Sequence, residues 1–150
     1  MIHFSGVRHF AVPSSIVYDR LSKASFLVRC VKDAEQISEA TDDRAAWKQK
    51  PGFSFVRTIL DILMVIEERI YPTQIHVQLV SNGIGASSTI KASLTLQDHE
   101  GGTTVDWQAD IVAMTGLLKL VPKGLITSAA QKVIEDTWTD IHNVLLADKA

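Results

Sequence analysis

One hundred and fifty residues, 46% of them hydrophobic, are enough chain for one core that needs no disulfide or metal to hold it. A formal net charge of −2 and a pI of about 6.2 exclude a basic field for nucleic acid, and Lys and Arg are scattered rather than clustered. The lone cysteine, Cys30, excludes an internal disulfide and points to a reducing compartment; the longest nearly apolar run, Ile59 to Ile66, contains Asp61 and falls short of the roughly 20 residues of a membrane span. The N-terminal stretch MIHFSGVRHFAV alternates and carries His and Arg, so it reads as a strand from Ile2 to Val12 rather than a signal peptide. These features predict a cytoplasmic protein of one domain.

Pro13-Ser14-Ser15 opens a short helix that either serine can cap, with Ile16, Val17, Tyr18 and Leu21 on its apolar side. Lys23 to Val31 predicts a second short helix, with Phe26, Leu27 and Cys30 at helical spacing. Ala34 to Ala40 and Arg44 to Lys50 predict short strands about a Thr41-Asp42-Asp43 turn, after which Pro51-Gly52 breaks the chain. Phe53 to Glu68 predicts a long strand and Thr73 to Ser81 another, with Tyr71-Pro72 in the turn. Asn82-Gly83 and Asp98-His99-Glu100-Gly101-Gly102 predict hairpin turns.

The strand from Phe53 to Glu68 is apolar on both faces. Val56, Leu60, Ile62, Met64 and Ile66 share one side; Phe53, Phe55, Ile59, Leu63 and Val65 share the other. A sheet with one wet face alternates more cleanly, so this pattern predicts a bulge or covered edge, or else an exposed patch for a partner or a second copy.

The last third is the most informative. Ile90, Ala92, Leu94 and Leu96 fall at every second place, and so do Val105, Trp107, Ala109, Ile111 and Ala113, which predicts two neighbouring strands with one buried face. After Gly116 the period changes to three- and four-residue steps. Leu118, Val121, Leu125, Ala129 and Val133 form one stripe; Ala130, Ile134, Trp138, Ile141 and Leu145 form another. A curved sheet under one long helix tends to enclose a cavity.

This order of elements, together with Phe4-Ser5-Gly6, the run Phe10 to Leu21, Phe26-Leu27-Val28-Arg29-Cys30, Gly83 to Ser88 and Gly101-Gly102-Thr103-Thr104-Val105-Asp106-Trp107, resembles the START-like helix-grip (SRPBCC) superfamily. Within it the chain is similar to the CoxG family of carbon monoxide dehydrogenase subunits, although Cys30 is followed by Val31-Lys32-Asp33 where that family has an apolar residue and Pro-Gly. The resemblance spans the whole chain. It implies a cavity for hydrophobic ligands and an accessory role beside a molybdenum-containing dehydrogenase, linked to the membrane or to quinone. It implies no catalytic residue.

Nor do the residues present a catalytic or metal constellation. His3, His9, His76, His99 and His142 include no i, i+4 pair on a helix, and there is no HExxH or CxxC. Cys30 lies on the apolar side of a short helix and reads as packing; no Gly-x-Ser-x-Gly elbow occurs. Asp106 and Asp110 share the wet side of their strand. Arg57 and Asp61 lie four apart on one face, as a surface ion pair or as groups that orient a headgroup. Met114 to Leu125 sets Gly116, Lys119, Pro122, Lys123 and Gly124 among large apolar residues, which fits an ordinary helix start or an apolar lip that touches a bilayer.

The expectation is therefore an α+β helix-grip fold with about seven strands, two short helices and a long C-terminal helix. It is expected to bind a quinone- or lipid-like molecule without a cofactor, with peripheral membrane contact and a homodimer left open. Expected at the cavity are Leu60, Ile62, Met64, Leu79, Ile90, Leu94, Trp107 and Ala109 from the sheet, and Leu118, Leu125, Ile126 and Ala129 from the helical segment. The alternatives are a cyclase, dehydratase or hydrolase with a titratable group inside (Arg57, Asp61, His76 or Glu39), or a docking module that uses the Phe53 to Val65 face.

Overall fold

The structure, a computed structural model, describes residues 2–50 and 58–149. Alternating side chains give each strand one apolar face, and seven such faces join in one antiparallel sheet. In chain order the elements are β1 (Ile2–Phe10), α1 (Ser14–Leu21), α2 (Ala24–Arg29), β2 (Glu35–Ala40), β3 (Arg44–Gln49), β4 (Leu60–Ile70), β5 (Gln74–Gly83), β6 (Ala86–His99), β7 (Gly102–Gly116), a 3-10 turn (Leu117–Leu120) and α3 (Lys123–Lys149). The strand order is β1-β7-β6-β5-β4-β3-β2, so β2 to β7 form a meander and β1 closes onto β7. The expected strands, paired short helices and long C-terminal helix are all present.

Register fixes which side chains face the core. Val105, Trp107, Ala109 and Ile111 of β7 stand opposite Leu96, Leu94, Ala92 and Ile90 of β6, which in turn continue to Ile75, Val77 and Leu79 of β5. Met64, Ile62 and Ile66 of β4 and Ala45 and Trp47 of β3 extend the same face. The core closes over it with Val12, Val17, Tyr18, Leu21, Phe26 and Leu27 around α1 and α2, and with Ile126, Ala130, Trp138, Ile141 and Leu145 of α3.

Two bulges change the expected parity. Thr89 pairs with Ala113 but Ile90 pairs with Ile111, so Val112 is the extra residue and the inward side of β7 passes to Met114; Ala113 is exposed. A second shift between Ile66 and Glu68 ends the inward run of β4 and turns Arg69 towards α1. There Arg69 donates to the Ser22 and Asp42 carbonyls at 2.9 and 2.7 Å and to Asp43 at 2.8 Å. The other apolar side of β4, Leu63 and Val65, is half-buried on the outer face; Phe53, Phe55, Val56 and Arg57 lie outside the described residues.

Other local expectations shift. Neither Ser14 nor Ser15 caps α1: Pro13 precedes it, its carbonyl accepts from Ile16 and Val17 at 3.0 and 3.1 Å, and the Ser14 hydroxyl donates to Asp98 instead. Asn82 and Gly83 remain in β5, and the hairpin turns at Ile84-Gly85, where Gly85 takes the positive φ of 75°. The segment after Gly116 is not one continuous helix. Pro122 supplies no N–H and sits just before α3, where its carbonyl accepts from Leu125 at 3.0 Å.

Of the two stripes along α3, the one through Ala130, Ile134, Trp138, Ile141 and Leu145, extended back to Ile126, faces the sheet. Ion pairs from α3 to other elements fall in its second half. Glu135 meets Arg8 of β1, Asp140 meets Lys32 at 2.9 Å, and Asp148 meets Arg29 and, at 3.5 Å, Arg20. Among the described residues, positions 123–134 make no ion pair outside the helix.

Candidate functional site

Burial along the concave face is uneven, and that unevenness marks the site. At the end covered by α1 and α2, Val12, Val17, Leu21, Ile75, Thr103 and Val105 are 0–1% exposed. Thr103 is satisfied there by donating to the Val12 carbonyl at 2.7 Å. At the opposite end the same inward face remains half-buried at Leu60, Leu79, Ser81, Ser88, Ile90, Ala92 and Met114. These side chains point under the N-terminal part of α3, and the apolar ones pack against the core without being sealed by it. The result is an apolar groove, tight at the α1–α2 end and open at the other.

The open end has a distinctive rim. Gly116 (φ 66°) lies against the Gly85 carbonyl, which brings the 3-10 turn onto the tip of the β5–β6 hairpin. Leu118 is buried there against Ala86, with Leu60 and Met114 beside it. Around this plug the aliphatic tips stand in solvent: Ile84 is 89% exposed, Leu120 80%, Leu125 57% and Ile59 50%. Lys119 and Lys123 are the charged residues between Val112 and Ile126; both are exposed, and neither has an ion-pair partner among the described residues. An apolar surface fringed with unpaired cations suits the headgroup boundary of a bilayer.

Deeper in, Trp107 sits on the concave face at 4% exposure, directly opposite Gly6 of β1. The indole covers Gly6 so closely that a Cβ there would come within 2.7 Å of the ring and 2.9 Å of Nε1. Trp138 of α3 lies at a ring distance of 6.1 Å, followed by Phe10 and then His142 at 6.3 and 5.0 Å steps. Trp107 Nε1–H is a buried donor with no protein acceptor among the described residues, whereas Trp47 Nε1 donates to Gln49 at 2.8 Å. An unsatisfied buried donor of this kind costs about 1–3 kcal/mol.

The expected cavity residues divide in three. Leu60, Leu79 and Ile90 line the open half, with Ala129 half-buried above them. Ile62, Met64, Leu94, Trp107, Ala109, Leu118 and Ile126 are buried in the walls and floor. Leu125 is corrected: it faces solvent at the rim, because the helix turns Ile126 to the sheet. Sequence reasoning does not single out Gly6, Ala92 or Met114. A glycine in mid-strand signals a close approach, but nothing local says that an indole makes it.

The titratable candidates lie elsewhere. Asp61 is exposed on the outer side with Lys48 at 3.0 Å, Glu39 pairs with Arg44 at 3.3 Å, and His76 faces outward near Glu68 at 3.8 Å; Arg57 lies outside the described residues. His3 bonds Asp110 at 2.6 Å and His9 bonds Thr104 at 3.0 Å, both outside the sheet. His142 differs from its expected surface position: it is half-buried against Phe10. Burial pushes the Cys30 thiol up to about 12, and Sγ–H meets the Phe26 carbonyl at 3.5 Å, so the residue is packing. Among the described residues no three His, Cys, Asp or Glu side chains are placed to hold a metal, and no helix is long and apolar enough to cross a membrane. A wide depression of about 550 Å³ lies by β2–β4; it is lined by Ile37, Ala46, Lys48, Asp61 and Leu63 among others and shares only Ile62 with the expected set.

Solved structures share this architecture. A conserved protein from Geobacillus kaustophilus superposes with a TM-score of 0.84 at 13% identity, covering 97% of this chain and 96% of that one. A protein from Rhodobacter sphaeroides gives 0.65 at 16% identity, with 97% and 93% covered, and Ara h 8.0201 gives 0.62 at 12% identity, with 97% and 98% covered. At such identities the likeness shows the helix-grip fold alone. No curated protein matches the sequence. The pattern of the CoxG family of carbon monoxide dehydrogenase subunits does match, over residues 6–146. With fold, groove and near full-length match in agreement, the chain belongs to the carbon monoxide dehydrogenase CoxG family.

Proposed function

We propose that this protein carries a quinone- or lipid-like molecule in the groove, takes it up at a membrane surface through the rim, and serves as an accessory factor to a carbon monoxide dehydrogenase-type molybdenum enzyme. The observation that supports ligand carriage is the half-buried state of Leu60, Leu79, Ile90, Ala92 and Met114, apolar side chains that face inward yet remain open to an occupant. Covering them is worth roughly 25 cal/mol per Å², less the cost of immobilising the ligand. The link to the dehydrogenase rests on family membership, and membrane contact rests on the rim of Ile59, Ile84, Leu120 and Leu125 with Lys119 and Lys123.

Native mass spectrometry on gently purified protein tests the carriage directly. A mass excess that vanishes on denaturation, with a lipophilic compound in the organic extract, is the expected result. No excess, and no uptake of added quinones or lipids, overturns it. Placement of Asp61, His76 and Glu39 outside the groove gives the enzyme reading no supporting observation.

A further inference from the structure

We infer that the Trp107 indole N–H is a hydrogen-bond donor kept for the ligand, so that the groove selects apolar molecules bearing a carbonyl oxygen over plain hydrocarbons. The inference rests on the groove being a ligand site and goes beyond it by naming the polar contact and the chemical class it selects.

Three observations converge. Buried side-chain donors elsewhere are matched: Thr103 gives its proton to Val12, Trp47 to Gln49 and Ser22 to Asp19. Among the described residues Trp107 Nε1 is the exception. Secondly, Gly6 accommodates this indole and no larger residue, since a Cβ would strike the ring. Trp138 packs beside it, so the ring is held in one orientation instead of turning its N–H towards a protein acceptor. Thirdly, the floor leading from the open end to Trp107 is made of alanines. Ala109 lies two residues along the same face of β7, and Ala92, paired with it, lies diagonally across from Trp107 and remains half-buried. Small side chains there leave width for a ring or an acyl chain between the rim and the indole.

The neighbouring charged group cannot substitute for a ligand. Arg8, next along the inward face of β1, has only donors, and it is paired with Glu135. A carbonyl oxygen is a good acceptor on an otherwise apolar body; a methyl group at the same place leaves the indole unmatched. Rejection of the analogue that lacks the acceptor is the usual consequence of a site built with a buried donor.

The test compares carbonyl probes with hydrocarbons of like shape. Menadione is set against trimethylnaphthalene, which carries methyl groups where menadione has carbonyls, and methyl laurate against tridecane; the two pairs separate a quinone carbonyl from a lipid ester. Binding is measured for wild type and Trp107→Phe, and the indole N–H resonances of the three tryptophans are followed in ¹⁵N-labelled protein. We expect Trp107→Phe to weaken one carbonyl probe by about tenfold and to change its hydrocarbon partner by less than about twofold. The Trp107 N–H resonance, identified by its absence in the variant, moves downfield with the carbonyl probe alone, while that of Trp47, already bonded to Gln49, stays in place. Equal weakening of both members of a pair, or a Trp107 resonance that does not move on binding, overturns the inference while the groove stands. Binding of none of the four probes by the wild type removes the groove reading and this inference together. The resonance in wild-type protein decides the matter even if the variant fails to fold.

Discussion

Cys30 shows how much of a single side chain is legible in the sequence. Its place on the apolar side of a short helix predicts packing, and it is 4% exposed beside the Phe26 carbonyl. Burial disfavours the thiolate, so the folded thiol titrates near 12 against an ordinary value of 9.0. The sign follows from proton counting. Above pH 9 the unfolded chain has lost the thiol proton and the folded chain keeps it, so this contribution to stability is complete below pH 9 and is lost as pH rises towards 12. Urea midpoints measured across that interval should therefore fall more steeply for wild type than for Cys30→Ala, and iodoacetamide should label Cys30 only in unfolding concentrations of urea. Parallel pH profiles would refute the assignment. Trp107 marks the other limit. Alternation places it on the inner face, but its unmatched N–H depends on Gly6, a hundred residues away in the chain, and on the ring of Trp138. Neither neighbour is encoded in the local pattern.

At the scale of the element, α3 explains why periodicity alone is insufficient. Both stripes obey helical spacing, and a short amphipathic window does not say which one meets the sheet. Trp138, Ile141 and Leu145 decide it, because the ion pairs of Glu135, Asp140 and Asp148 fix the rotation of the second half and the rigid helix carries that rotation back to Ile126. Adjacent residues thus have opposite fates. Ile126→Ala should cost about 2–5 kcal/mol in urea unfolding, as for a buried aliphatic, and Leu125→Ala less than about 0.5 kcal/mol. The reverse ranking would mean that the helix is rotated by a quarter turn or more. The strands are more legible, because a period of two leaves fewer choices. The misplaced position, Ala113, follows a bulge at Val112 that no residue type announces. The double apolar face of β4 is visible in the sequence, but its first residues lie outside the described chain.

Across the whole molecule, charge is distributed against the average. The chain carries a net charge of −2, yet residues 112–126 hold two lysines and no acid. Each cation near an anionic leaflet contributes about 1 kcal/mol, so Lys119→Glu with Lys123→Glu should weaken binding to phosphatidylglycerol vesicles by roughly thirtyfold or more. Thermal unfolding should stay unchanged, since both side chains are solvated and unpaired. Sedimentation with the vesicles measures it; undiminished binding by the double variant would move the membrane contact away from the rim. The fold is legible in the order of elements, and the family resemblance that this order carries extends over nearly the full chain. The rim is legible only as a composition. Its assembly from Ile59, the Ile84 hairpin and the 3-10 turn needs the contact of Gly116 with Gly85.

A groove sealed by α1 and α2 at one end has a single doorway, and traffic through a single doorway is sequential. The surface that would rest on lipid while cargo enters is the surface through which cargo must leave. A bilayer and a receiving enzyme cannot both occupy it at one moment. The protein is thereby shaped to work as a ferry that docks at one bank and then the other, with its residence time at each bank setting the rate of delivery.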